Sequence, residues 1–551
     1  MDYISKAFDP KSTPQQEQAR ADQVVNNAGG FVFPVDDITR ARRFLILGSE
    51  GGTYYQSEKE LTRENAKFIM DMANSEEGGK LLLTLVTDIS LAGRAPKQNP
   101  TLFALAALCC SESEEVRRNA YLAMPSICRT GTMLFTFVKY MENIRGTWPM
   151  GLRKAVARWY EKKSPRDLAY QVTKYGQREG WTHRDLLRLS HPGAPSLAHT
   201  GIYNYITKGE FILPGVAPRR EDFEAGEYIG AIKAAKASTD LSKWVSLAET
   251  YKLSWEQLPD AALSEPAVWD VMVPNLGLTA LVRNLGRLSK IGYLAPLSDN
   301  ISKVVARLSD PEQVKKSRIH PLNVLVSSST YAAGRGIKGR DTWTVVPQIA
   351  GALEEMFYTA FGNVEPTGKK TLIGLDVSGS MGVWTIAGTF ITPRAGAAAL
   401  ALVSLRTEPN CHVVAFQGQR DGIIRRGSGC EIVPLPLTPQ MSLGEVMSAT
   451  NNLPFGATDC AAPMMWALAN DVEVETFVVI TDNETWFGNI HPFEALRQYR
   501  RETGIPARLA VLAMTSTGFS IADPSDAGCL DLVGFDSATP EILRMFSVGE
   551  L

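Results

Sequence analysis

Asp376, Ser378 and Ser380 occupy alternate positions in the stretch TLIGLDVSGSMG (371–382), and each carries a side-chain oxygen. The apolar run before them reads as a buried strand and the Gly/Ser-rich sequence after it as a tight turn, so one strand delivers three donors into one loop. Hard oxygen donors of this kind suit magnesium or calcium. Two further segments can complete the set. GATD (456–459) offers Thr458, and FVVITDNE (477–484) puts Asp482 at the end of a second apolar, β-rich run. Neighbouring strands of an open α/β sheet would bring all three segments to their carboxyl ends, the usual ligand crevice of such sheets. The expected cofactor is a divalent cation, Mg2+ first, with Ca2+ or Mn2+ as alternatives.

Other chemistry competes for the same residues. Asp and Ser after a strand also make good helix N-caps, and a lone D-x-S-x-S fits that reading equally well; Thr458 and Asp482 tip the balance to a metal. An aspartyl phosphotransferase would also place Asp376 at a strand end, but its usual second acid two positions on is Ser378 here. A magnesium-dependent hydrolase using Asp376 and Asp482 is physically feasible. Against it, no carboxylate pair, Ser-His-Asp order or Cys-His arrangement stands out.

Taken together, the five positions resemble the von Willebrand A domain and its metal-ion-dependent adhesion site. That resemblance implies Asp376, Ser378, Ser380, Thr458 and Asp482 as the metal ligands. It further implies that an acidic residue of a protein partner completes the coordination sphere, making the metal an adhesive contact.

The elements that must position these residues belong to a chain of 551 residues, longer than one core normally serves, so two or more domains are expected. A hydrophobic share of 44% with 21% charged residues is that of an ordinary globular protein. The polar start has no apolar segment of the secretory kind, and no apolar stretch approaches the roughly 20 residues that span a bilayer. A cytoplasmic protein with no membrane partner is the expectation. Seven cysteines without C-x-x-C spacing indicate neither a disulfide framework nor a zinc ribbon.

Apolar residues recur at three- and four-residue spacing from about 35 to 361, in segments such as NAKFIMDMA, TLFALAALCC and LRKAVARWYEKK. So many paired amphipathic helices suggest an α-solenoid rather than one bundle. Beyond the turn-rich junction at Pro366, apolar runs (LIGLDV, HVVAFQG, EIVPLPL, TFVVITD, ARLAVLAM, DLVGF) alternate with helical stretches, the pattern of a mostly parallel sheet covered by helices. The division expected is a polar segment (1–30), a helical domain (31–365) and an α/β domain (366–551).

Net charge is −2, yet the part from Pro366 onward holds 12 Lys/Arg against 19 Asp/Glu, and the part before it 45 against 40. The basic excess concentrates between Lys139 and Arg220, with 15 basic and 6 acidic residues, a field that attracts polyanions. There, YQVTKYGQREGWTHRDLLRLSHPGAPS reads as two helical pieces joined through Gly180-Trp181-Thr182. Lys174 and Arg178, four apart, are expected on one helical face, as are Arg184 and Arg188, with His191 continuing the second face. Such rows can contact successive phosphates, while Tyr170, Tyr175 and Trp181 offer stacking surfaces. The plainer alternatives are a solvated helix face, core aromatics, and a histidine that closes a helix.

RFLILGSEGGTYY (43–55), TKYGQREGWTHRDLLRLSHP (173–192) and YITKG (205–209), followed by an A domain, resemble the Ro autoantigen family and its helical TROVE module across nearly the whole chain. The resemblance implies HEAT-like repeats curved into a monomeric ring that the A domain closes. It implies Y RNA bound on the outer face through Lys174, Arg178 and His191, and single-stranded 3′ ends of misfolded or precursor RNA in a central hole. An exoribonuclease such as polynucleotide phosphorylase is the implied partner of bacterial relatives; bacterial and eukaryotic origins fit the composition equally. On this reading the protein is no enzyme. Its main rival is a metal-dependent adhesion scaffold with no RNA role.

Overall fold

Short amphipathic helices that each bury one stripe must stack to cover it, and the amino-terminal two-thirds of the chain does so. The computed structural model describes residues 12–49, 56, 58–215, 220–336, 341–362, 365–383, 385, 391–417, 431–451, 453 and 457–550. The signature residues Gly51, Gly52, Thr53, Tyr54 and Tyr55 lie outside them. Boundaries follow local chemistry. Ser75, Ser113, Thr130, Ser164 and Ser196 each cap a helix by accepting a backbone N–H from its first turn, and Gly93, Gly146 and Gly209 end helices in the left-handed conformation. From Asp37–Leu47 to Pro347–Thr359 the helices pack on near neighbours in the sequence, as in a solenoid.

The solenoid returns to its own beginning. Asn323, on the helix Pro321–Ala332, donates its side-chain amide to the carbonyl of Pro96 at 3.2 Å, just past the helix Glu76–Ala92. Gly93 is close-packed against Arg318. The α/β domain staples both sides of this junction. Arg94 grips the Asp536 carboxylate through Nε at 2.8 Å and through a second guanidinium nitrogen, while Glu354 on the last solenoid helix accepts from Arg406 at 3.2 Å and from the Leu443 N–H at 3.0 Å. Helical and α/β parts therefore form one closed structure, as expected of an α-solenoid followed by a von Willebrand A fold.

Among the described residues the α/β part holds a six-stranded sheet in the order Cys529–Val533, Arg508–Ala513, Thr476–Thr481, Thr371–Asp376, Cys411–Gln417, Glu431–Pro434, all parallel except the last. Thr371–Asp376 and Thr476–Thr481 are buried along their whole length, which explains their unbroken apolar sequence. The chain leaves Thr371–Asp376 toward one side of the sheet and later resumes on the other, so these neighbours flank the topological switch point.

One element has no counterpart in the sequence pattern. Residues 12–34 lie on the α/β domain and add Phe31–Pro34 between Val24–Val25 and Phe519–Ser520 as a small antiparallel sheet. The helix Asp37–Leu47 follows directly. Its buried Arg43 pairs with Asp531 and donates to the carbonyls of Thr517 and Phe519, each at 2.8 Å. None of the described helices is long and apolar enough to cross a membrane.

Candidate functional site

The five oxygen-bearing residues surround the switch point. Asp376 ends one central strand and Asp482 directly follows its neighbour, so parallel pairing fixes their proximity. Asp376 Oδ1 accepts the Ser378 N–H at 2.9 Å, its Oδ2 accepts the Thr481 hydroxyl at 2.6 Å, and the Ser378 and Ser380 hydroxyls lie 3.0 Å apart. Asp482 lies in the third loop, where its Oδ1 accepts the Glu484 N–H at 3.1 Å. Thr458 belongs to the second loop, whose carbonyl accepts the backbone N–H groups of Trp486 at 3.2 Å and Phe487 at 3.0 Å. Arg394 braces the first loop from behind, donating to the carbonyls of Val377 at 2.7 Å and Ser378 at 3.0 Å.

All five ligand candidates are buried, and the Thr458 hydroxyl and Asp482 Oδ2 have no hydrogen-bond partner among the described residues. Burial without a partner costs on the order of 1–3 kcal/mol per group, more for a charge. Charge points the same way. Burial, and then the neighbouring Asp376, push Asp482 up to about 7; burial raises Asp376 and takes Asp459 to about 7; burial and then Asp482 push Glu484 to about 8. Carboxylates crowded in a buried crevice need positive charge. A hard divalent cation would supply it, and two carboxylates with three hydroxyls are a donor set that fits one. No group of three His, Cys, Asp or Glu poised for a metal occurs among the described residues, so the hydroxyls are integral to this set.

An outer layer that the sequence did not announce supports those loops. Gln15 donates to Asp459 Oδ1 at 2.7 Å and accepts from the Thr485 hydroxyl, while Asn27 donates to Glu484 Oε1 at 2.8 Å. These are polar residues in a segment without hydrophobic periodicity, so no local signal marks them.

In the basic segment the structure separates residues that the sequence grouped. The helix Pro165–Lys174 stops at Lys174, and Arg178 stands in a hairpin pairing Gln177–Arg178 with Trp181–Thr182. Lys174 and Arg178 therefore share no helical face. The reason is local: Glu179 and Gly180 both take positive φ, 53° and 82°, the two-residue type I′ turn that a helix cannot contain. The Lys174 side chain is 10% exposed, bonded to the Tyr170 hydroxyl at 2.7 Å and 3.4 Å from Glu256. Burial pulls its ammonium pKa down, but the Tyr170 bond and the charges around it outweigh burial and leave it raised.

Arg184 and Arg188 do share the exposed face of His183–Ser190, a helix capped by the reciprocal Thr182–Asp185 box. His191 closes that helix in the left-handed conformation, φ 49°, with its ring exposed. Tyr170, Tyr175 and Trp181 are half-buried; Trp181 packs on Trp148 with centroids 5.6 Å apart. The helix Met150–Glu161, packed beside His183–Ser190, carries Lys154 and Arg158, and Lys162 follows as its cap. Glu161 accepts the Gly193 N–H at 2.8 Å, which brings Lys162 next to the loop after His191. The four-residue spacing of Lys154, Arg158 and Lys162 was the available signal for them.

The TROVE domain family model matches residues 24–330, and the Ro60 vWA domain model matches 370–547. A protein of Deinococcus radiodurans named RNA-binding protein RO60 is 38% identical over 554 aligned positions, covering 100% of both chains. One of Caenorhabditis elegans with the same name is 36% identical over 612 positions, covering 98% of this chain and 92% of that protein. The crystal structure of the Deinococcus radiodurans Ro protein superposes with a TM-score of 0.68 at 37% identity, covering 94% of this chain and 100% of that one. Two domain models in the right order and full-length similarity to these relatives agree with the closed helical and α/β architecture, and the chain belongs to the Ro family.

Proposed function

We propose that this chain is a non-catalytic RNA-binding ring that holds a structured RNA of the Y RNA type on its basic face and admits a single-stranded 3′ end of misfolded or precursor RNA to its centre. The observation that carries the reading is a ridge of exposed cations without ion-pair partners among the described residues: Arg184 and Arg188, continued by His191 and by Lys154 and Lys162. Arg178 adds an exposed guanidinium whose one acidic partner among the described residues is its neighbour Glu179, at 3.2 Å. Uncompensated positive groups on one surface suit a polyanion, since each phosphate contact releases counterions. Arginine adds forked donors that match phosphate oxygens. The relatives' names, RNA-binding protein RO60, support the same class of ligand.

The divalent cation is a separate, adhesive site. Asp376, Ser378, Ser380, Thr458 and Asp482 hold it, and its open position takes a carboxylate from a protein partner. An exoribonuclease docked on the complex then acts on the RNA that the ring presents, in the cytoplasm.

The test is a gel-shift titration at two salt concentrations with a stem-loop RNA and with a duplex carrying a single-stranded 3′ tail. Changing Arg178, Arg184 and Arg188 together to alanine weakens stem-loop binding and flattens its salt dependence by about one in log–log slope for each phosphate no longer neutralised. Lys174→Ala weakens binding and also lowers the melting temperature, because it strips Glu256 of a half-buried partner. If the wild type binds neither RNA at low salt, the ring reading fails and the adhesion scaffold takes its place.

A further inference from the structure

We propose that residues 13–31 are a working part of the metal centre, a strap that seats the Thr458 and Asp482 loops for the cation, so that cation binding and strap seating are coupled. The inference rests on the metal reading of Asp376, Ser378, Ser380, Thr458 and Asp482.

Three strap side chains do the holding. Gln15, wholly buried, donates to Asp459 Oδ1 at 2.7 Å and to the Ile490 carbonyl at 2.9 Å, and its own carbonyl accepts from the Thr485 hydroxyl. Asn26 donates to the backbone carbonyls of Asn483 at 3.2 Å and Thr485 at 2.6 Å. Asn27 donates to Glu484 Oε1 at 2.8 Å, and the Ala28 N–H reaches Glu484 Oε2 at 3.1 Å. The residue after Thr458 and the three residues after Asp482 are thus bound to one segment from the opposite end of the chain.

That segment is fitted to its place. Gly30 lies so close that a Cβ on it would stand 2.0 Å from the Thr485 carbonyl oxygen, and the Gln15 N–H donates to the Gly488 carbonyl at 3.1 Å. Asn26 Oδ1 folds the strap over by accepting the N–H groups of Ala28 at 3.1 Å and Gly30 at 2.9 Å. Loops beyond strand ends have no sheet hydrogen bonds to orient them, so partners of this kind decide where ligand oxygens point and how tightly a metal is held. With the strap away, the buried carbonyls of Asn483 and Thr485 and the Glu484 carboxylate lose their donors and the Asp482 loop loses its seat. Coupling of this sort is reciprocal: whatever the strap adds to cation affinity, the cation adds to strap seating. The strap runs straight into Asp37–Leu47, the first solenoid helix, so the cation state reaches the ring through covalent chain.

The experiment uses the full chain. Mg2+ affinity is measured by calorimetry for the wild type, for Gln15→Ala/Asn27→Ala and for Asp376→Ala, with circular dichroism and stem-loop binding as checks on folding. Hydrogen–deuterium exchange of residues 13–34 is followed with and without Mg2+ in the wild type and in Asp376→Ala. The strap variant is expected to bind Mg2+ on the order of 10-fold more weakly. Mg2+ should slow strap exchange in the wild type and leave Asp376→Ala unchanged. A folded strap variant with wild-type affinity, or strap exchange indifferent to Mg2+ in a wild type that binds it, overturns the proposal while leaving the metal reading intact. A wild type that binds no divalent cation sinks both. The exchange arm needs no strap variant, so it decides the matter even where the double substitution unfolds.

Discussion

His183 is the buried residue on which the basic ridge is built. Its Nδ1 lies 2.7 Å from the Tyr160 hydroxyl, its ring packs on Phe135 at a centroid distance of 4.7 Å, and burial pulls its pKa down to about 4. His320, buried at the ring closure, is depressed to about 4 for the same reason. A histidine with a lowered folded pKa contributes stability that is present above the unfolded value near 6.5 and is lost as pH falls toward the folded value. The wild type should therefore lose stability between about pH 6.5 and 4, by up to about 1.4 kcal/mol per pH unit for each histidine. Urea midpoints across that range for the wild type and His183→Gln should show a shallower fall in the variant. The histidine count is readable in the sequence, but His183, buried, and His191, exposed, sit eight residues apart and look alike there. Only packing makes one a neutral core group and the other a surface donor.

Among the elements, the strap and the hairpin mark where sequence patterns stop being informative. The sheet strands were legible because burial on both faces demands unbroken apolar runs, and the helices because one buried stripe demands a period near 3.6. Strands of two residues, such as Gln177–Arg178, are too short to show a period, so the basic segment read as two helical pieces joined at Gly180-Trp181-Thr182, with no hairpin between them. The strap is held by side-chain amides donating to distant carbonyls, contacts with no periodic signature. Its space requirement is nonetheless sharp. Gly30→Ala should lower stability by about 1–3 kcal/mol, since the added methyl meets rigid backbone at Thr485. A thermal melt checks this, and an unchanged melting temperature would mean that the strap is not docked as described.

At the scale of the whole molecule, closure depends on a few charged contacts between units far apart in sequence. Asp536 is buried against Arg94, 442 residues away, at the junction where the two ends of the solenoid meet. Asp536→Ala leaves a half-buried guanidinium without its carboxylate and should cost about 3–5 kcal/mol. Equilibrium unfolding followed separately by tryptophan fluorescence and far-UV circular dichroism should give a lower midpoint by both probes, because one contact joins both units. A loss confined to a single probe would show that the helical and α/β parts are stable independently.

By itself the sequence determined the fold class, the family resemblance, the five metal-ligand candidates and the basic character of the segment from 139 to 220. These depend on composition, periodicity and spacing, all local along the chain. Tertiary structure alone decided that Lys174 is a half-buried partner of Glu256 while Arg178 stands free of the helix, that residues 13–31 brace the loops carrying Thr458 and Asp482, and that the solenoid closes on itself. Each of these is a contact between segments distant in sequence, and a long-range contact leaves no pattern in either partner read alone.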